Sequence, residues 1–169
     1  IHTIRRPRPD DFQIKLAADL IKKSKNPIII SGGGIFYSDA TNELSEFAKK
    51  HNIPTAQTVM GYSTMKKDDP YFLGAIGGFG GKEPNNFMKK TDLAIAIGTK
   101  LADFTTGSWA NFENPNFKLV SINVSRFDAN KHMAQSIVGD AKVCLQDLTL
   151  ALGNWKAEDD WHKKSRIAV

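Results

Sequence analysis

One cysteine, Cys144, stands among 169 residues. An internal disulfide is therefore excluded, and the chain suits a reducing, cytoplasmic setting. No apolar run approaches the roughly 18 residues that cross a bilayer, so no membrane partner is expected. The first residues, Ile1-His2-Thr3-Ile4-Arg5-Arg6, run into prolines and not into the apolar core of a secretory leader. No initiator methionine precedes them, so the chain reads as a piece of a longer protein. His2, His51, His132 and His162 are scattered without metal-ligand spacing, and no metal site is expected. Internal repeats and low-complexity tracts are absent.

Charge is in modest excess. The net charge is +5 and the isoelectric point about 9.3. Arg5, Arg6 and Arg8 fall in a proline-rich head, and Lys163, Lys164 and Arg166 in the tail. Elsewhere lysines alternate with acids, and no signature of a nucleic-acid module is present. Nucleic acid is not expected as a partner.

What remains is an alternation of apolar runs with amphipathic stretches. Pro27-Ile28-Ile29-Ile30-Ser31 and Leu93-Ala94-Ile95-Ala96-Ile97 are continuous apolar runs, the mark of strands buried on both faces. Further strands are expected at Ile53–Val59, Tyr71–Gly74, Lys118–Val124 and, at an edge, Ser136–Val138. Helices are expected from an Asp10 cap to about Lys23, from Ser38 or Asp39 to Asn52, over Glu83–Lys90, and from Asp140 to Gly153. This order predicts an α/β fold: a doubly wound, about six-stranded parallel sheet with helices on both faces. Residues 1–9 read as a linker, 10–153 as the domain and 154–169, charged and aromatic with no clear core face, as a second linker.

Two loops stand out. Gly32-Gly33-Gly34 follows the first strand, where glycine lets backbone approach a phosphate at a helix start or simply makes a tight turn. The dinucleotide fingerprint Gly-x-Gly-x-x-Gly fails at Tyr37. Gly98-Thr99-Lys100-Leu101-Ala102-Asp103 follows the fourth. Lys100 could meet a phosphate and Asp103 a hydroxyl at the crevice outside the strand ends, or the two could form a surface ion pair. At the end of the fifth strand an acid would grip a ribose, yet Asn123 and Ser125 stand there and Asp128 comes three residues late. The candidate cofactor-contacting residues are thus Gly32, Gly33, Gly34, Gly98, Lys100, Asp103 and Ser125, with no catalytic and no metal-ligating residue.

Other motifs fail on inspection. Gly77–Gly81 with Lys82 lacks the first Walker A glycine at Ile76 and the hydroxyl residue at Glu83, and reads as a mobile loop. Gly61-Tyr62-Ser63-Thr64-Met65 lacks the second glycine of a nucleophile elbow. Cys144 sits on an expected core stripe with Ala141, Leu145, Leu148 and Leu152 and reads as inert. Trp109, Trp155 and Trp161 are too dispersed for a stacking platform.

Taken together, Pro27–Gly34, Ile53–Thr58, Asp92–Asp103, Ile122–Lys131 and Gly139–Ala141 resemble the Rossmann-like central domain of thiamine diphosphate-dependent enzymes of the acetohydroxyacid synthase type. The runs Ile122–Ala129 and Gly98–Thr106 carry the resemblance most specifically. It implies a three-domain parent enzyme, of which this chain is the middle third, that opens the ring of a cyclic 1,2-diketone by C–C hydrolysis. The flanking pyrimidine- and diphosphate-binding domains would hold thiamine diphosphate and magnesium between subunits of a homo-oligomer, the thiazolium carbanion serving as nucleophile. The family's Gly-Asp-Gly metal motif is not matched by Gly139-Asp140-Ala141, so this part alone is expected to bind neither and to be catalytically silent. The alternative the resemblance implies is an acetolactate synthase-like domain binding FAD or ADP, for which Ser125 replaces the expected acid and the site would be vestigial. A ligand-free interaction domain with a bare apolar interface is the blandest reading.

Overall fold

The computed structural model describes Thr3 and residues 5–167; positions 1, 2, 4, 168 and 169, the outer ends of both expected linkers, lie outside the described residues. In chain order the elements are α1 (Asp11–Lys23), β1 (Pro27–Ser31), α2 (Gly34–Tyr37), α3 (Thr41–His51), β2 (Thr55–Gln57), β3 (Phe72–Ala75), α4 (Lys82–Met88), β4 (Leu93–Ile97), α5 (Asp103–Thr106), β5 (Lys118–Asn123), α6 (Arg126–Ala129), β6 (Gln135–Val138), α7 (Ala141–Leu152) and α8 (Asp159–Ile167). Among the described residues the strands form one six-stranded sheet in the order β3-β2-β1-β4-β5-β6. Every pairing is parallel. This is the doubly wound arrangement expected from the alternating pattern, and the order reverses between β1 and β4.

Register explains the composition of the central strands. Ile29 pairs with Ile95 and Ile95 with Val120, and one residue earlier Ile28 pairs with Ala94 and Ala94 with Leu119. Because successive side chains alternate faces, the first row enters the core beneath α1, α3 and α7 and the second enters the core on the opposite face. Ile28, Ile29 and Ile30 are wholly buried, and each such side chain contributes about 1.5–3 kcal/mol on leaving water. Cys144 lies in the first core. Burial, with Asp140 and Asp147 adding, pushes its thiol up to about 12, so it is protonated and unreactive.

Helix ends follow side-chain chemistry. The Asp10 carboxylate accepts from the Phe12 and Gln13 amides at 2.9 and 3.3 Å. Asp140 accepts from Lys142 and Val143 at 3.1 and 3.3 Å. Asn52 ends α3 in the left-handed conformation at φ 57°. The start of α3 differs from expectation, since Ala40 and neither Ser38 nor Asp39 precedes it. Gly34–Tyr37 forms its own short turn, Asp39 takes φ 49° to leave it, and the Ser38 hydroxyl instead accepts from the Ala141 amide at 3.3 Å. β2 is shorter than Ile53–Val59 because Thr58 caps a 3-10 turn over Val59–Gly61. β3 and α4 are shifted by one residue from Tyr71 and Glu83 at their starts.

The expected second linker requires correction. Residues 154–167 pack onto the domain, with Ala157, Trp161 and Ser165 buried. Trp161 and Ser165 lie on one face of α8 and Ala157 in the segment just before it; two of the three are small, so no apolar stripe marks the core face. The Trp161 indole stacks on Phe87 at 4.1 Å and donates to the Pro27 carbonyl at 2.7 Å, closing the second core at the amino end of β1. His51, buried at the end of α3, holds the approach to α8. With its proton on Nδ1 it donates to the Trp155 carbonyl at 2.8 Å, while Nε2 is buried without a partner. The head is likewise fastened: the Asp140 amide donates to the Pro7 carbonyl at 2.8 Å, and Arg6 pairs with Asp140 at 3.0 Å.

Two outcomes check these contacts. Trp161→Ala is expected to destabilise the domain by about 3–5 kcal/mol in denaturant unfolding, as for other large-to-small aromatic truncations; a loss within about 0.5 kcal/mol, the size of an exposed-surface change, would return the segment to the status of a linker. Burial, partly offset by the Trp155 hydrogen bond, holds the His51 imidazole below its ordinary 6.5. The neutral ring is the native form, so its contribution is complete above pH 6.5 and is lost as pH falls below that value. The melting temperature of the native chain should therefore drop more steeply below this pH than that of His51→Gln; parallel profiles would contradict the assignment.

Candidate functional site

At the carboxyl ends of β1 and β4, where the sheet order reverses, the loops bound a crevice of about 520 Å³. Open α/β sheets place ligands at this position. Of the seven residues singled out in the sequence, Gly33, Gly34, Gly98 and Lys100 line it, whereas Gly32, Asp103 and Ser125 do not. The lining also includes Arg5, Tyr37, Met60, Asn123, Asp128 and Asp140, which sequence reasoning did not assign to a site.

Backbone contact between the two loops accounts for their glycines. Gly98 has φ +62°, and a Cβ placed on it would stand 2.6 Å from the Gly34 Cα. No side chain fits there. A Cβ on Gly32 would in turn collide with the Gly98 carbonyl. Hydrogen bonds join the same atoms: Gly32 N–H donates to Ile97 O at 2.9 Å and Gly34 N–H to Gly98 O at 3.0 Å. The next two amides, of Ile35 and Phe36, donate to Gly32 O and Gly33 O, each at 3.1 Å. The donors that a phosphate would need at this turn are thus largely engaged within the chain.

The polar groups at the end of β5 are also engaged. The Asn123 side-chain amide donates to Thr99 O at 3.2 Å, and its carbonyl accepts from the Ser125 amide at 3.0 Å. Ser125 caps α6, its hydroxyl accepting from the Asp128 amide at 3.3 Å. That turn swings Asp128 back to the crevice wall, where Lys131 bonds it at 2.7 Å. The Lys131 hydrogen bond, chiefly, holds the Asp128 carboxyl below its usual range, with Lys100 adding a weaker pull in the same direction. Asp140, the other acid of the lining, is held by Arg6.

Lys100 is exposed on the rim and Asp103 is exposed outside it at the start of α5. No ion pair joins them among the described residues. The crevice therefore offers an apolar bay bordered by Arg5 and Lys100, with its acids Asp128 and Asp140 paired. Among its described lining residues no hydroxyl is hydrogen-bonded to a carboxylate or imidazole. Among the described residues no three His, Cys, Asp or Glu side chains gather where a metal ion could be held.

Comparison with known proteins agrees with this frame. Residues 14–148 match the family described as thiamine pyrophosphate enzyme, central domain. The chain is similar to the 3D-(3,5/4)-trihydroxycyclohexane-1,2-dione hydrolase of Clostridium perfringens (strain 13 / Type A), 43% identical over 152 residues, 90% of this chain and 24% of that protein. It is similar to the protein of the same name from Clostridium botulinum (strain Alaska E43 / Type E3), 45% identical over 148 residues, 88% of this chain and 23% of that one. A third, from Bacillus cereus (strain AH820), is 40% identical over 169 residues, the whole of this chain and 26% of its own length. The chain thus spans about a quarter of the length of the curated relatives it matches. With the match covering β1 through α7 and the parallel sheet intact, the chain belongs to the family of thiamine pyrophosphate enzyme central domains.

Proposed function

We propose that this chain is the central domain of a thiamine diphosphate-dependent hydrolase that cleaves a C–C bond of 3D-(3,5/4)-trihydroxycyclohexane-1,2-dione. The observation that carries this reading is the 40–45% identity, along 88–100% of the chain, to relatives that bear that enzyme's name. Ring opening of such a dione belongs to the breakdown of a cyclic polyol, in keeping with inositol catabolism. The buried, reduced Cys144 and the lack of any described helix long and apolar enough to cross a membrane are compatible with a cytoplasmic enzyme.

The described residues do not fit thiamine diphosphate with its magnesium ion. A diphosphate-bound divalent cation needs carboxylate or carbonyl oxygens converging on one point. The crevice acids Asp128 and Asp140 are each tied to a cation of the chain itself. In this reading the cofactor lies between flanking pyrimidine- and diphosphate-binding domains of the parent, which assembles as a homo-oligomer, and this domain holds those neighbours in register. A working FAD or ADP site is not adopted, because Ser125 and Asn123 are engaged inside the chain and no unpaired acid ends β5.

The test is direct. The full-length polypeptide, supplied with thiamine diphosphate and magnesium, should consume the dione, followed by loss of its absorbance, while residues 1–169 alone should not. Turnover by the domain alone, or a folded full-length protein that leaves the dione untouched, would overturn the proposal.

A further inference from the structure

The loops at the carboxyl edge of the sheet share a feature that extends beyond the crevice. Each of the five strands from β1 to β5 is followed by a large apolar side chain exposed to solvent: Tyr37, Met60, Phe79, Phe104 and Phe127, between 57% and 81% exposed. Five consecutive strands delivering such groups to one edge form a pattern, where isolated exposed apolar residues would need no explanation. The rings are held in place. Phe79 packs on Phe104 at 4.8 Å, and the Lys131 ammonium sits 4.7 Å from the Phe127 ring centroid.

The opposite edge is built differently. There α8 closes over the strand starts, with Trp161 bonded to the Pro27 carbonyl and His162 and Arg166 to the Pro70 carbonyl at 3.0 and 3.2 Å. The two ends of the chain therefore lie at different edges. Arg5 lines the crevice, Arg6 bonds Ser38 O and Asp140, and Pro7 accepts from the Asp140 amide. The polypeptide is thus delivered to the carboxyl edge at its head and leaves past the amino edge at its tail.

We propose that the carboxyl-edge face is a docking surface for the domain that precedes residue 1 in the full-length chain. This rests on the reading of the chain as the central domain of a longer protein, for which the family description and the quarter-length coverage of the relatives speak. The partner surface is apolar at its centre, to cover Met60, Phe79 and Phe104. It carries carboxylates at its rim, facing the exposed Lys67 and Lys100. The Arg6–Asp140 pair holds the head of the chain against this face, so a domain joined there reaches it with less orienting freedom to lose on docking.

The experiment uses the full-length protein with a photo-cross-linking residue, in Met60→p-benzoylphenylalanine and separately in Phe127→p-benzoylphenylalanine. Leu150→p-benzoylphenylalanine, exposed on α7, is the control. Chains labelled with nitrogen-14 and nitrogen-15 are mixed before irradiation, so that links within a chain and between copies are told apart by mass. Cross-links from positions 60 and 127 should map within one chain to peptides preceding residue 1, and those from position 150 should not. Links to peptides after residue 169, links between differently labelled copies, or no link from either position would each overturn the docking surface. Dione hydrolysis is measured on the same samples. Retained hydrolysis with links elsewhere sinks the docking surface and spares the central-domain reading, whereas links to the preceding peptides without hydrolysis do the reverse.

Discussion

The backbone contact between the loops after β1 and β4 is the constraint on which the carboxyl edge of this domain depends. Gly34 and Gly98 approach until no Cβ can stand between them, and Gly98 takes a left-handed φ to do so. The hydrogen bonds from Gly32 to Ile97, from Gly34 to Gly98 and from Gly98 to Ile122 carry the sheet ladder beyond the last strand residues. At the point where a doubly wound sheet ordinarily parts its loops, these two are joined at the base. The crevice opens only above that junction, and its floor is peptide backbone in which the amides of Gly32, Gly34 and Gly98 already donate within the chain.

The rest of the chain is arranged to support that junction from both sides. One face of the central strands is filled by isoleucine and valine beneath α1, α3 and α7, the other by Ile28, Ile30 and Leu119 around the smaller alanines of β4 beneath α4 and α8. Asp140 joins local and distant order, since one carboxylate caps α7 and holds Arg6 of the head. His51 plays the matching part for the tail through Trp155. The crevice side chains Asn123, Asp128 and Asp140 are thus turned toward the chain itself.

Legibility in the sequence followed the range of the interactions involved. Continuous apolar runs located β1 and β4 to the residue, because a strand buried on both faces needs nothing but its own composition. Asp10, Asn52 and Asp140 were legible as helix ends, because capping is local. The cap of α3 was misplaced because the Ser38 hydroxyl answers to Ala141, about a hundred residues away in the chain. The tail helix was missed because its buried face carries one large residue, Trp161, beside the small Ser165. Asp128 looked three residues too late to matter, until the α6 turn capped by Ser125 brought it back to the crevice. Gly32–Gly34 and Gly98 were found, but glycine that admits a phosphate and glycine that admits another backbone are the same letter; only the opposing loop distinguishes them.

Whether these glycines serve only the fold, as proposed, or also admit a nucleotide is open to one measurement. A thermal-shift titration of the domain with ADP and FAD tests it most directly. A ligand at about 100 times its Kd adds roughly 2.7 kcal/mol to stability, which for a domain of this size raises the melting temperature by about 5–10 °C. The account predicts an unchanged melting temperature with either ligand. A saturable rise of that size with ADP or FAD would contradict it and make the crevice a working pocket.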